Sequence, residues 1–134
     1  MKRFLLVFSV LQLMICVVGC DGSGLVPVEG TVTYEGQPVV GLNVEFLRTE
    51  SGRICTGYTD ESGNFMLTAS ISEDGAMVGP NEVTFIFISD DTEQGSTATE
   101  AIQAIIEAHG EEGTPVPIEI TGATKDLVIA LPLE

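Results

Sequence analysis

The chain has 134 residues and a mass of 14.2 kDa, enough for one domain and too little for two with separate cores. Its 44% hydrophobic content and mean hydropathy of +0.33 exclude a disordered chain, which pairs low hydrophobicity with high net charge. Twenty acidic against five basic residues give −15, which excludes nucleic acid as a partner, because phosphate binding needs a basic surface. Fifteen Gly, six Pro and no Trp predict a turn-rich, all-β protein instead of a helical bundle.

Lys2 and Arg3 precede an apolar run from Phe4 to Val18, interrupted only by Ser9 and Gln12. A charged start and an apolar run this short read as a secretory signal, not as a permanent bilayer span. Val17-Val18-Gly19-Cys20 closes the run and resembles the bacterial lipobox, with Val18 bulkier than the residue usual at its place. The resemblance implies cleavage between Gly19 and Cys20, thioether lipidation of Cys20 and acylation of the new amine, palmitate being the expected acyl group. Two or three acyl chains, at ~0.8 kcal/mol per buried CH₂, anchor a protein stably where one is marginal. Removing residues 1–19 takes away Lys2 and Arg3 but no acid, leaving 20 acidic and 3 basic residues and a net charge of −17. Anionic headgroups repel such a protein, so the lipid must attach it. Asp21 resembles an inner-membrane retention signal of some diderm bacteria, a rule that varies between lineages, so membrane and leaflet stay open. Residues 20–26 are expected to be the lipidated cysteine and a flexible tether, and residues 27–134 a single domain.

From Val28 the chain alternates with period 2. Val28, Gly30, Val32 and Tyr34 share one face, and Glu35-Gly36-Gln37-Pro38 is turn chemistry. Leu42, Val44 and Phe46 mark a second strand, and Ile54, Thr56 and Tyr58 a third after Ser51-Gly52. Asp60-Glu61-Ser62-Gly63 is a strong turn, since Asp bonds its own backbone ahead and Gly accepts positive φ. Phe65, Leu67 and Ala69 follow, so residues 53–69 are expected to form a hairpin. Residues 70–81 read as loop. Glu82 to Ile88, with Val83, Phe85 and Phe87 on one face and Ile86 and Ile88 on the other, reads as a central strand or one covered by a helix.

Thr97-Ala98-Thr99-Glu100 has capping-box spacing, and Ile102, Ile105 and Ile106 recur at helical intervals. The pattern predicts a short helical insertion over about 97–109, stopped by Gly110. Val116, Ile118 and Ile120 resume alternation among Pro115 and Pro117, which suit an edge strand. Leu127, Ile129, Leu131 and Leu133 form the last strand. Seven strands separated by turns predict a two-sheet sandwich.

Three stretches carry a family resemblance: Val28-Glu29-Gly30-Thr31-Val32-Thr33-Tyr34, Gly36-Gln37-Pro38-Val39-Val40-Gly41-Leu42-Asn43-Val44 and Thr59-Asp60-Glu61-Ser62-Gly63-Asn64-Phe65. They resemble the carboxypeptidase regulatory-like domain, the transthyretin-like (prealbumin-like) β-sandwich found in secreted proteins and small bacterial lipoproteins. The match covers residues 28–67 well, Gly79-Pro80-Asn81-Glu82-Val83-Thr84 loosely, and the stretch beyond Asp90 departs from it. These are turn and core positions, so they imply a fold and say little about activity.

Chemistry is sparse. Transthyretin-related hydrolases use several histidines, an arginine and a Tyr-Arg-Gly-Ser terminus, whereas this chain has one histidine, His109, and finishes Leu131-Pro132-Leu133-Glu134. Neither a Ser-His-Asp set nor a phosphate loop is present, and His109 reads as a helix C-terminal residue favoured by the macrodipole. Cys16 leaves with the signal and Cys20 is modified, so Cys55 stands alone, without disulfide or zinc cluster, as a small core residue. Asp90, Asp91 and Glu93 are weak calcium candidates, joined by Glu73-Asp74 and Glu111-Glu112, though without EF-hand spacing. Tyr34 or Tyr58 could stack a sugar, yet two Tyr and no Trp supply a poor platform. No cofactor is expected. The chain reads as a non-enzymatic, lipid-anchored cell-envelope protein, periplasmic or surface facing on a bacterial membrane, with an envelope protein or glycan as partner. Its alternatives are a carbohydrate- or calcium-binding domain, or an accessory subunit of an envelope enzyme.

Overall fold

The computed structural model describes residues 24–71, 73–88 and 99–133. These form β1 (Leu25–Val26), β2 (Val28–Tyr34), β3 (Gln37–Pro38), β4 (Asn43–Arg48), β5 (Arg53–Tyr58) and β6 (Asn64–Met66). There follow β7 (Thr68–Ser70), β8 (Glu73–Asp74), β9 (Ala76–Met77), β10 (Gly79–Ile86), the helix α1 (Glu100–His109), β11 (Val116–Ile120) and β12 (Thr124–Leu131). The larger sheet has the order β11-β10-β4-β5-β7-β8, the smaller β12-β2-β3 with β6 also on β2, and β1 pairs with β9 alone. The protein is thus mostly β, with open sheets and one helix, an arrangement consistent with a sandwich.

Alternation does the sorting. Val28, Val32, Phe65, Ile129 and Leu131 of the smaller sheet and Val44, Phe46, Cys55, Val83 and Phe85 of the larger are all buried in one cluster. Phe46 and Phe65 connect the sheets with ring centroids 6.2 Å apart. Each such side chain contributes about 1.5–3 kcal/mol on full burial. Between β2 and β3 the turn is Glu35-Gly36, both at positive φ (50° and 80°), the two-residue geometry whose twist matches a hairpin.

Several expectations are corrected. The seven predicted strands become twelve segments among the described residues, partly because one predicted strand changes sheets. Asn64–Met66 pair with β2, the Leu67 amide donates to the Val28 carbonyl (3.0 Å), and only Thr68 pairs back to Thr56 of β5. The 53–69 hairpin is therefore split between two layers. In β5 the buried positions are Cys55 and Gly57, while Ile54 and Tyr58 face outward. Leu25 and Val26, placed in the tether, pair with Met77 and Ala76, and much of the expected 70–81 loop is strand. These pairings join distant stretches of two or three residues, too short for a periodic signal.

The helix begins later than its capping pattern predicts. Thr99 is the N-cap, its side chain accepting from the Ile102 amide at 3.3 Å, and Thr97 lies outside the described residues. Glu100 is then the first helical residue, not the third, so it cannot close a capping box. The stop at Gly110 is as expected. Ile102 and Ile105 are buried in the core. β10 lies between β4 and β11 and packs against α1, so it is both internal and helix-covered. On the edge strand β11, Pro117 sits opposite Glu82 where no further strand needs its missing N–H.

Candidate functional site

The lipidation position Cys20, its neighbour Gly19 and the calcium candidates Asp90, Asp91 and Glu93 all lie outside the described residues. The other acids singled out with them, Glu73, Asp74, Glu111 and Glu112, are described. Glu73 accepts from the Arg53 guanidinium (2.5 Å), Asp74 sits opposite Thr68 in a strand pair, and Glu111 and Glu112 follow α1. Among the described residues no group of three or more His, Cys, Asp and Glu side chains could hold a metal. Asp60 is occupied locally: its Oδ1 accepts from the Ser62 amide (2.8 Å) and the Asn64 amide (3.0 Å), and its carbonyl accepts from Gly63 (2.9 Å). That is an Asx-type turn, the reading its sequence context predicts.

Cys55 is 1% exposed. Burial pushes its thiol up, against the nearby Arg53 charge and a backbone hydrogen bond from Met77, with Glu73 adding slightly to the rise. A buried thiol held protonated is a poor nucleophile. His109 is a fastening. Its Nδ1 lies 2.7 Å from the Thr114 carbonyl, which can only accept, so Nδ1 carries the proton. The ring stands edge-on to Phe85 with centroids 6.5 Å apart, tying the end of α1 to β10 and to the turn beyond.

The surface offers concavities where sequence reasoning singled out few residues. β11 pairs with the Gly79–Val83 half of β10 and goes no further; beside Phe85, Ile86 and Phe87 runs a groove of about 760 Å³ whose other wall is α1. Ile102 and Ile106 form that wall, and Glu107, Glu111 and Glu112 line the rim. Of the three isoleucines that recur at helical spacing, Ile102 and Ile105 are buried and Ile106 is only partly so. Across Phe87 and Ile102 the apolar surface continues into a second depression of about 450 Å³ beside Val40 and Tyr58. A third, about 440 Å³ and more polar, brings together Tyr58, Asp60, Asn64, Met66 and Lys125. Tyr58 is 56% exposed; Tyr34 packs partly against the core and offers no comparable face.

No helix among the described residues is long and apolar enough to cross a membrane. Compared with known proteins, the chain matches no family model, no curated protein and no solved structure.

Proposed function

We propose that this chain is a lipid-anchored cell-envelope protein whose domain is a non-enzymatic binding module, a sandwich of the transthyretin-like, carboxypeptidase regulatory-like type. One observation carries the anchoring: a short apolar run behind Lys2 and Arg3 ends at Val17-Val18-Gly19-Cys20, where a lipidated thiol would emerge at the bilayer surface. Support for a binding role comes from the groove between α1 and β10, since concave apolar surface with a few polar groups is the usual form of a recognition site. Support for the fold type comes from the turn and core residues of 28–67 together with two open sheets around one core.

Replacing Cys20→Ala should abolish incorporation of an alkyne-tagged palmitate analogue and release the protein from washed membranes. Undiminished labelling of the variant would overturn the anchoring. A second reading, glycan binding, is favoured by the exposure of Tyr58 beside Asp60, Asn64 and Lys125, a ring face with polar groups at its edge. Binding to a glycan array that disappears in Tyr58→Ala would establish it.

A further inference from the structure

We infer that the groove between α1 and β10 receives a basic, amphipathic segment of a partner protein, whose apolar side chains lie on Ile86, Phe87 and Ile106 and whose Lys or Arg side chains meet Glu107, Glu111 and Glu112. This inference rests on the reading of the domain as a binding module and names the chemistry of what it binds. The floor is apolar and the rim carries three exposed carboxylates with no basic residue among the lining side chains. An occupant must therefore offer apolar surface and positive charge together. α1 has ten residues and is about 15 Å long, so the contact suits a few turns of helix or a short extended stretch.

The other occupants fit poorly. A second copy of this chain supplies cations poorly: Arg48 is engaged with Glu50 at 2.7 Å and Arg53 with Glu73, which leaves one described lysine, Lys125, for three carboxylates, and a net charge of −15 opposes self-association. Residues 89–98 adjoin the groove in sequence, but they contribute Asp90, Asp91 and Glu93 and a single apolar residue, Ala98. Anionic lipid headgroups would be repelled by the same rim.

The test uses the lipidated full chain in phosphatidylcholine nanodiscs, with empty nanodiscs subtracted. The probes are a fluorescent peptide containing only leucine and lysine, and its counterpart with glutamate for lysine. The leucine–lysine peptide should bind, its affinity falling about tenfold in the triple variant Glu107→Gln, Glu111→Gln, Glu112→Gln and at high salt. All three glutamates are solvent-exposed, so the variant should fold, and an unchanged circular dichroism spectrum would establish that it has. Equal binding to wild type and triple variant would overturn the inference. So would a dimer in sedimentation that the triple variant abolishes, which would give the groove to a second copy. Binding that appears only after residues 89–98 are replaced by Gly and Ser would give it to that segment instead. Preference for the leucine–glutamate peptide would overturn the charge assignment while leaving the binding-module reading intact. Silence of both peptides, with no cross-linked partner on intact cells, would remove both.

Discussion

Exchanging Phe46 and Phe65 for leucine, singly and together, measures whether the two larger sheets stack through these rings. Phe46 on β4 is fully buried and Phe65 on β6 is 4% exposed; their rings are inclined at 42°, a tilted contact of the kind aromatic pairs favour. Leucine keeps most of the volume, so the repacking part stays below about 1.5 kcal/mol. Loss of the ring pair adds about 0.5–1.5 kcal/mol. Each single variant is expected to lose about 2 kcal/mol, which in a domain of this size lowers Tm by roughly 8–16 °C. The pair can be lost only once, so the double variant should lose about 1 kcal/mol less than the two singles combined. Alanine would be a poorer probe, because ~3–5 kcal/mol at each site approaches the whole stability of a small domain. Urea unfolding of the four proteins supplies the cycle. Additivity to within about 0.5 kcal/mol would refute stacking of the sheets through these two side chains.

Two further expectations concern the interior and one tight turn. Because burial raises the Cys55 thiol, the unfolded chain releases that proton near pH ~8.5 while the folded chain keeps it. The stabilisation is therefore complete below that pH and is lost as pH rises toward the folded value; wild type should show this alkaline decline and Cys55→Ala should not, and parallel stability–pH curves would count against it. Gly75 and Gly52 both have positive φ, but a Cβ at Gly75 would fall 2.1 Å from the Val26 carbonyl oxygen while one at Gly52 meets nothing within 4 Å. Gly52→Ala should cost about 1–2 kcal/mol and Gly75→Ala several times more by thermal melting. Equal losses would contradict the close approach of β1 to the turn between β8 and β9.

The parts of this fold that are legible in the sequence are those where one local rule decides. Val28 to Tyr34, Leu42 to Phe46 and Leu127 to Leu131 alternate cleanly and are strands, and Asp60 with Gly63 makes the turn its side chain favours. Where two local rules compete, the reading slips. The spacing of Thr97 and Glu100 predicts a cap at Thr97, yet the described helix starts at Glu100 with Thr99 as its N-cap, since Thr99 offers the same hydroxyl to a nearby amide. The pairing of Leu25 with Met77 joins two short stretches far apart with no periodicity to announce it, and in that of Asn64 with Thr31 the alternation of β2 says nothing of which distant stretch lies beside it. The groove was hidden for a related reason. Its walls are residues that read as core, and only the early end of β11 leaves them reachable. In sequence Glu107 reads as a solvent-facing helix position and Glu111-Glu112 as acids joined to the weak calcium candidates, and their common rim exists only once α1 lies along β10.

The parallel pairing of β2 with β12 has a consequence for how the protein assembles. Val28 meets Thr124, and Tyr34 meets Leu131, so the first long ribbon finds its flank partner roughly a hundred residues downstream, a non-local closure that slows folding. Until the final segment docks, that flank presents unsatisfied amides and carbonyls, an adhesive margin open to any passing extended chain. Completion of the smaller sheet therefore depends on the most distant of its strands, and any chain in which that strand is undocked carries an open edge of the kind that aggregates.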